Sequence, residues 1–176
     1  MDKPGTENQS CDISQFARTE QLLGKTAMER ISNARVALFG LGAVGSFAAE
    51  ALARTGVGHL FLVDFDRVDP SNINRQLLAF HSTVGQSKAG LARRRVLDIN
   101  PDCSVTVQET FVNADSIEQL LRPDVDVVAD AIDGLNAKVN LLVAARQMGL
   151  PVVASMGAAG RVDAAQVKVT DISRTC

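Results

Sequence analysis

Neither tryptophan nor tyrosine occurs in the 176 residues, and seven phenylalanines supply all of the aromatic content. The protein should therefore absorb only weakly in the near ultraviolet. Cysteine is scarce as well. Cys11, Cys103 and Cys176 are scattered, odd in number and form no CxxC pair, so neither a zinc site nor a disulfide framework is indicated. Charge of one sign is not in excess: 18 basic residues face 20 acidic ones, a formal net charge of −2. No global basic field announces nucleic acid, although a local basic patch remains open. No apolar run is long enough to span a bilayer, and no signal peptide is apparent. A cytoplasmic, reducing compartment is the default expectation. Against these absences stands an apolar fraction of 46%, enough for the buried core of one domain.

Residues 1–15 are polar and rich in Pro, Gly, Asn and Ser, and read as a disordered tail. A helical pattern follows over Thr19–Asn33, with Leu22, Leu23, Ala27, Met28 and Ile31 on one face and Thr19 as its N-cap. The chain then alternates. Apolar runs at Arg35–Phe39, His59–Val63, Ser104–Glu109, Val125–Ala131 and Pro151–Ala154 read as strands. Helical patterns lie between them at Val44–Arg54, Val84–Ile99, Ser116–Leu121 and Leu135–Met148. That alternation predicts an α/β, Rossmann-like three-layer fold, with a mainly parallel sheet and helices on both faces. A final period-two run, Gln166–Thr170, reads as a strand leaving the parallel core. The chain stops soon after it at Cys176, with nothing resembling a closing helix, which reads as a truncated C-terminus.

Three motifs carry chemistry in the first half. Gly40-Leu41-Gly42-Ala43-Val44-Gly45 fits GxGxxG and lies directly between a strand and a helix, the context that turns a weak pattern into a nucleotide-binding expectation. Asp64 ends the next strand, about 20 residues on, where such loops place an acid for the ribose hydroxyls. Its bland alternative is a strand-end cap. Asp66 should point to the same side and could assist at the ribose or near a metal, or serve only as a turn residue. Then comes SNINRQ, in which Asn72, Asn74, Arg75 and Gln76 form a dense polar cluster. Hydride transfer has no work for an arginine here, whereas cleavage of ATP does, because charge builds on phosphate oxygens as the leaving group departs. Arg offers a planar fork and Asn can orient it. A solvated loop with Ser71 as helix cap is the plain alternative.

The second half adds two more. Lys88 opens a helix, where a cation opposes the macrodipole, so it is a better candidate for phosphate contact than a random surface lysine; taken alone, an ordinary helix-start lysine is the plain alternative. Asp130 and Asp133, in DAIDG, stand at the carboxyl end of an apolar strand, where parallel-sheet proteins gather ligand groups. Asp133 suits either a magnesium ion bridging phosphates or the N-cap of the helix from Leu135. Gly157 and Gly160 follow the last parallel strand and mark either a second close backbone approach or a turn. Arg93-Arg94-Arg95 reads as a solvated helix face. His59 and His81 stand alone, and Cys103 reads as packing before a strand.

Taken together, the glycine loop, LVDFD, SNINRQ, VGQSK and DAID resemble the adenylating domain of the ubiquitin-activating-like superfamily, which includes the adenylyltransferases of thiamin and molybdopterin synthesis. RTEQLLG, EALARTGVGHLFLVDFD, INPDCSV and VKVTDISRT resemble, within it, the tRNA threonylcarbamoyladenosine dehydratases. The likeness runs over roughly residues 16–175. It implies an ATP-dependent adenylating domain over 16–176 that activates a carboxylate as an acyl adenylate with Mg2+, on tRNA bearing threonylcarbamoyladenosine. By position it implies that Gly40, Gly42 and Gly45 form the nucleotide loop, that Asp64 binds ribose, that Asn72, Arg75 and Lys88 face the phosphates, and that Asp133 holds magnesium. It further implies a homodimer in which Arg18 reaches the partner's site, and a possible sulfur-relay partner. Relatives of this kind continue further, with more helix and a basic surface suited to tRNA.

Other readings stay open at the level of residues. The carboxylate could belong to the C-terminus of a ubiquitin-like or sulfur-carrier protein, although the missing CxxC pairs count against that. A nicotinamide oxidoreductase is disfavoured by Arg75, Lys88 and Asp133. A nucleotide-binding scaffold without chemistry gains from the short C-terminus and is disfavoured by the retained Arg75 and Asp133. No cysteine stands where a thioester role can be defended.

Overall fold

The structure, a computed structural model, describes residues 14–158 and 160–174. The expected tail lies almost wholly outside them, as do Cys11 and Cys176. Five strands form one sheet: β1 (Arg35–Phe39), β2 (His59–Val63), β3 (Ser104–Gln108), β4 (Val127–Asp130) and β5 (Val152–Ala154). The spatial order is β3-β2-β1-β4-β5 and every pairing is parallel. The helices are α1 (Ala17–Leu23), α2 (Lys25–Asn33), α3 (Gly45–Thr55), α4 (Lys88–Ile99), α5 (Ala114–Leu120) and α6 (Leu135–Gln147).

The period-two alternation of the two central strands builds both faces at once. Val36 and Leu38 of β1, with Leu60 and Leu62 of β2, meet Ala49 and Ala53 of α3 and Ala89, Ala92 and Val96 of α4. The intervening Ala37, Phe39, Phe61 and Val63 meet Ile117 and Leu120 of α5 and Leu141 and Ala145 of α6. Small residues on α3 and α6 let those helices lie close to the sheet, while Phe39, Leu38 and Leu62 are fully enclosed. Each such large side chain contributes about 1.5–3 kcal/mol by leaving water. The expected three-layer α/β architecture is therefore present.

Chain order creates the crevice. From β1 the chain steps outward to β2 and β3, then returns to the other side of β1 as β4 and β5. Helices leave in opposite directions at that reversal, which opens a gap beyond the carboxyl ends of β1 and β4.

Several local expectations need correction. The Thr19–Asn33 helix is two helices, broken at Gly24, whose φ of 84° no helix accommodates. Thr19 lies inside α1 rather than capping it; the N-cap is Phe16, without a side-chain cap bond. The fourth helix starts at Lys88 and not at Val84, because Gly85 turns at φ 81° and Ser87 then caps, accepting from the Gly90 N–H at 3.1 Å. Gln166–Thr170 is not a strand. A short 3-10 turn covers Ala164–Gln166, and Val167 and Val169 are exposed. No strand runs beside this stretch among the described residues, and a lone strand leaves its backbone groups unpaired.

Candidate functional site

The loop from β1 into α3 shows three glycines with three different reasons. At Gly40, φ is 86° and a Cβ would stand 2.7 Å from the Ala131 carbonyl oxygen, where β1 meets the exit of β4. A Cβ at Gly45 would fall 1.8 Å from the Gly40 oxygen. Both are demanded by the turn and by helix–strand packing. Gly42 is demanded by neither. Its φ is not positive, and the sole protein atom within 4 Å of its hypothetical Cβ is Gln76 Nε2, at 3.8 Å. The space over Gly42 is thus open, at the start of a helix whose N-cap, Val44, supplies no side-chain hydrogen bond. Unpaired N–H groups and an open glycine make a cradle for an anion.

Asp64 braces this loop from the end of β2. One oxygen accepts the Leu41 N–H at 2.6 Å and the other the Asp66 N–H at 2.8 Å. The residue is only 8% exposed, and burial pushes its carboxyl up against the pull of those donors. A carboxylate offers about four lone-pair positions, so both oxygens can still accept from a ligand. The turn alternative for Asp66 is partly realised, since its backbone closes this bend. Its carboxylate turns to Lys88, with Nζ at 2.8 Å; the lysine side chain is 5% exposed and the aspartate side chain 46%. Lys88 is thus a buried cation whose partner faces water.

The SNINRQ segment is folded by its own polar groups. Asp69 accepts from the Ser71 N–H at 2.8 Å, and Asn72 Oδ1 accepts from the Asp69 N–H at 3.2 Å, around a 3-10 turn at Pro70–Asn72. Asp69, not Ser71, is therefore the cap, and its carboxyl is held below the usual range by the Ser71 donors. Arg75 is exposed, and its guanidinium donates to the Ser71 carbonyl and to Asn74 Oδ1, both at 2.9 Å. Asn74 orients the arginine as the pattern suggested. Ser46, 1% exposed, ties the segment to the glycine loop: its hydroxyl donates to the Gly42 carbonyl at 2.6 Å and accepts from the Leu77 N–H at 3.2 Å. The sequence reading missed Ser46; a serine directly after the third glycine of the loop was the available signal.

On the β4 side the two aspartates separate in character. Asp130 is enclosed, accepts the Ile132 N–H at 2.9 Å, and pairs with Lys138 Nζ at 2.6 Å; Lys138 also donates to the Ser155 carbonyl at 2.9 Å. Lys138 was also missed. Its signal was a lysine on the helix face otherwise marked by Ala137, Leu141 and Ala145, a position that only a paired charge can occupy. Asp133 is exposed, and its carboxylate has no hydrogen-bond or ion-pair partner among the described residues. It does not cap α6, whose N-cap is Gly134.

Arg18 is not part of this assembly within its own chain. Phe16 lies against Gly56, at the far end of α3 from the glycine loop, and the helix between is about 16 Å long at 1.5 Å per residue. The buried Cys103 thiol is pushed up to about 11 by burial, so it packs rather than reacts. Gly157 and Gly160 are both exposed after β5. No helix among the described residues is long and apolar enough to cross a membrane.

The model of the ThiF family matches residues 15–174. The tRNA threonylcarbamoyladenosine dehydratase of Bacillus subtilis (strain 168) is 45% identical over 163 residues, covering 93% of this chain and 64% of that protein. Its Escherichia coli (strain K12) counterpart is 41% identical over 160 residues, 91% of this chain and 60% of that one. The crystal structure of the E. coli enzyme in complex with ATP superposes with a TM-score of 0.90 at 40% identity, covering 93% of this chain and 67% of that chain. The chain therefore spans about three-fifths of the length of these curated relatives.

Proposed function

The chain belongs to the ThiF family, and from that premise we propose that it carries out the ATP-dependent dehydration of threonylcarbamoyladenosine in tRNA. The observation that carries the reading is the likeness to the two bacterial dehydratases over nearly the whole of this chain. The geometry supports it: an open glycine cradle, an oriented arginine and an unpartnered carboxylate flank one crevice. The substrate carboxylate attacks the α-phosphorus of ATP, and pyrophosphate leaves. An internal nucleophile of the same nucleoside then attacks the acyl carbon and expels AMP, so the ring closes with net loss of water. A carboxylate is a poor electrophile until adenylated, and the protein needs positioning and charge stabilisation more than a nucleophile of its own.

In this reading residues 16–176 act as the ATP-binding adenylating domain. Gly40, Gly42 and Gly45 shape the phosphate loop, Asp64 and Asp66 serve the ribose, and Asn72, Arg75 and Lys88 act on the phosphates. Magnesium fits on one condition. The described residues hold no cluster of three metal-binding side chains, and Asp130 is taken by Lys138. Of the two aspartates in DAID, Asp133 is the one whose carboxylate has no partner among the described residues, which suits an ion that arrives on phosphate oxygens and keeps its waters. That ion would neutralise phosphate charge. Because Arg18 lies away from its own crevice, it acts in trans, in a homodimer. A cytoplasmic location and contact with a sulfur-relay protein belong to the same reading.

Nucleoside mass spectrometry of tRNA carrying threonylcarbamoyladenosine, incubated with the protein and Mg-ATP, tests the proposal. ATP-dependent loss of one water is expected. Intact nucleoside, together with ATP–pyrophosphate exchange driven by a sulfur-carrier protein and not by tRNA, would overturn it in favour of carrier activation.

A further inference from the structure

Gln76 was read only as one member of a polar cluster, yet its side chain is unlike the others. The residue is 9% exposed, and its Oε1 is enclosed without a hydrogen-bond partner. Its Nε2 has no protein acceptor among the described residues and faces the open space over Gly42. The position is not accidental slack. The Gln76 N–H donates to the Asn72 carbonyl at 2.9 Å. The next residue is fastened through Ser46 to the carbonyl of Gly42 itself. The amide is therefore held against the one glycine of the loop that neither backbone conformation nor packing requires. The enclosed oxygen records only that the protein leaves this amide unsatisfied; what points to a ligand is the amide nitrogen, without a protein acceptor and beside the open space over Gly42.

We infer that Gln76 is a nucleotide-contacting residue, its amide nitrogen donating to a phosphoryl oxygen of the nucleotide lying over Gly42. The inference rests on the ATP-dependent reading above and deepens it. A primary amide carries two N–H donors, and an anionic oxygen is the strongest acceptor a nucleotide can bring to them.

The test measures ATP affinity by calorimetry and thermal unfolding without nucleotide, on the whole chain. Gln76→Met keeps the volume and removes both amide atoms. It should weaken ATP binding by about 10-fold or more, the worth of one hydrogen bond to a charged group. Its unfolding temperature should stay level or rise, because the unpaired oxygen is gone. Gln76→Glu should weaken ATP further by repulsion. A merely structural glutamine predicts the reverse pattern, lower stability with affinity following it, and that result overturns the inference. Gly42→Ala is the check that leaves the Gln76 amide itself in place. Its methyl meets only Nε2, at ordinary contact distance, so the fold should stand while ATP affinity falls; unchanged affinity overturns the inference. If the unaltered protein binds ATP and Gln76→Met binds it equally well, only the inference falls. If the unaltered protein binds no ATP, the ATP-dependent reading falls and takes the inference with it.

Discussion

The two halves of the sheet end in the same pair of residue types, put to different use. Beyond β2 the pair is Asp66 with Lys88; at the end of β4 it is Asp130 with Lys138. Both lysines sit near the start of a helix and both are almost fully buried. The carboxylates differ. The Asp130 side chain is 0% exposed and every partner it has is protein, whereas the Asp66 side chain is 46% exposed. A sealed pair fixes the join of β4, α6 and β5. A half-open pair holds a cation ready while water, or an anionic ligand, can compete for it. The chemistry of the crevice is therefore expected to depend on the β2 side and its rigidity on the β4 side.

Removing Lys138 should break that comparison hardest. Lys138→Met leaves the Asp130 charge buried and unpaired, which typically costs 3–5 kcal/mol, that is ~4 kcal/mol. A large drop in unfolding temperature follows, and Lys138→Met with Asp130→Asn should recover much of it. Lys88→Met should behave otherwise. Its partner can return to water, so the stability cost should stay near ~1 kcal/mol, while ATP–pyrophosphate exchange falls about 100-fold or more with the lost phosphate donor. If Lys88→Met unfolds the protein as Lys138→Met does, the distinction between the halves fails. Arg75→Ala sharpens the same contrast from the solvent side. The arginine has no ion-pair partner among the described residues, its contacts being Ser71 and Asn74. Exchange should drop by roughly 100-fold, with the unfolding curve unmoved and ATP binding partly kept.

The β2 half was the more legible in sequence, for a physical reason. Its signals are local: glycines whose spacing fixes a turn, an acid at a strand end, a polar run that caps itself through Asp69 and Asn72. Strand positions followed from apolar period two, and the core residues on both faces with them. What the sequence concealed is what three-dimensional closure decides. That Lys88 spends a hydrogen bond on Asp66, 22 positions back, is set by where α4 docks. That Asp130 is structural and Asp133 free depends on a lysine eight residues on reaching back under β5. The two equivalent-looking aspartates of DAID carry no local mark to tell them apart. The Gln166–Thr170 run misled because alternation describes a face without supplying a neighbour to pair with.

The smallest effect, and the finest test of the comparison, is in the acid range. Asp64 is pushed up by burial, so folding disfavours its ionisation. Its contribution is fully favourable below the ordinary aspartate pKa of about 3.9 and is lost as pH rises through its raised value. Glu50 of α3 is held down, chiefly by its hydrogen bond to Arg95 and then, against a smaller desolvation, by Arg54. It stabilises above the ordinary glutamate value and loses that contribution as pH falls through its lowered one. The two acids therefore oppose each other across the acid limb of the stability curve. Replacing Glu50 with Gln should flatten the loss of stability on acidification. Replacing Asp64 with Asn should remove the part that weakens as pH rises, while also leaving one acceptor oxygen for the N–H groups of Leu41 in the glycine loop and Asp66 in the bend after β2. Urea unfolding at a series of acidic pH values reads both slopes. Parallel curves for Asp64→Asn and the unaltered protein would mean that the brace of the nucleotide loop is not under electrostatic load. The β2 half would then owe its readiness to Lys88 alone.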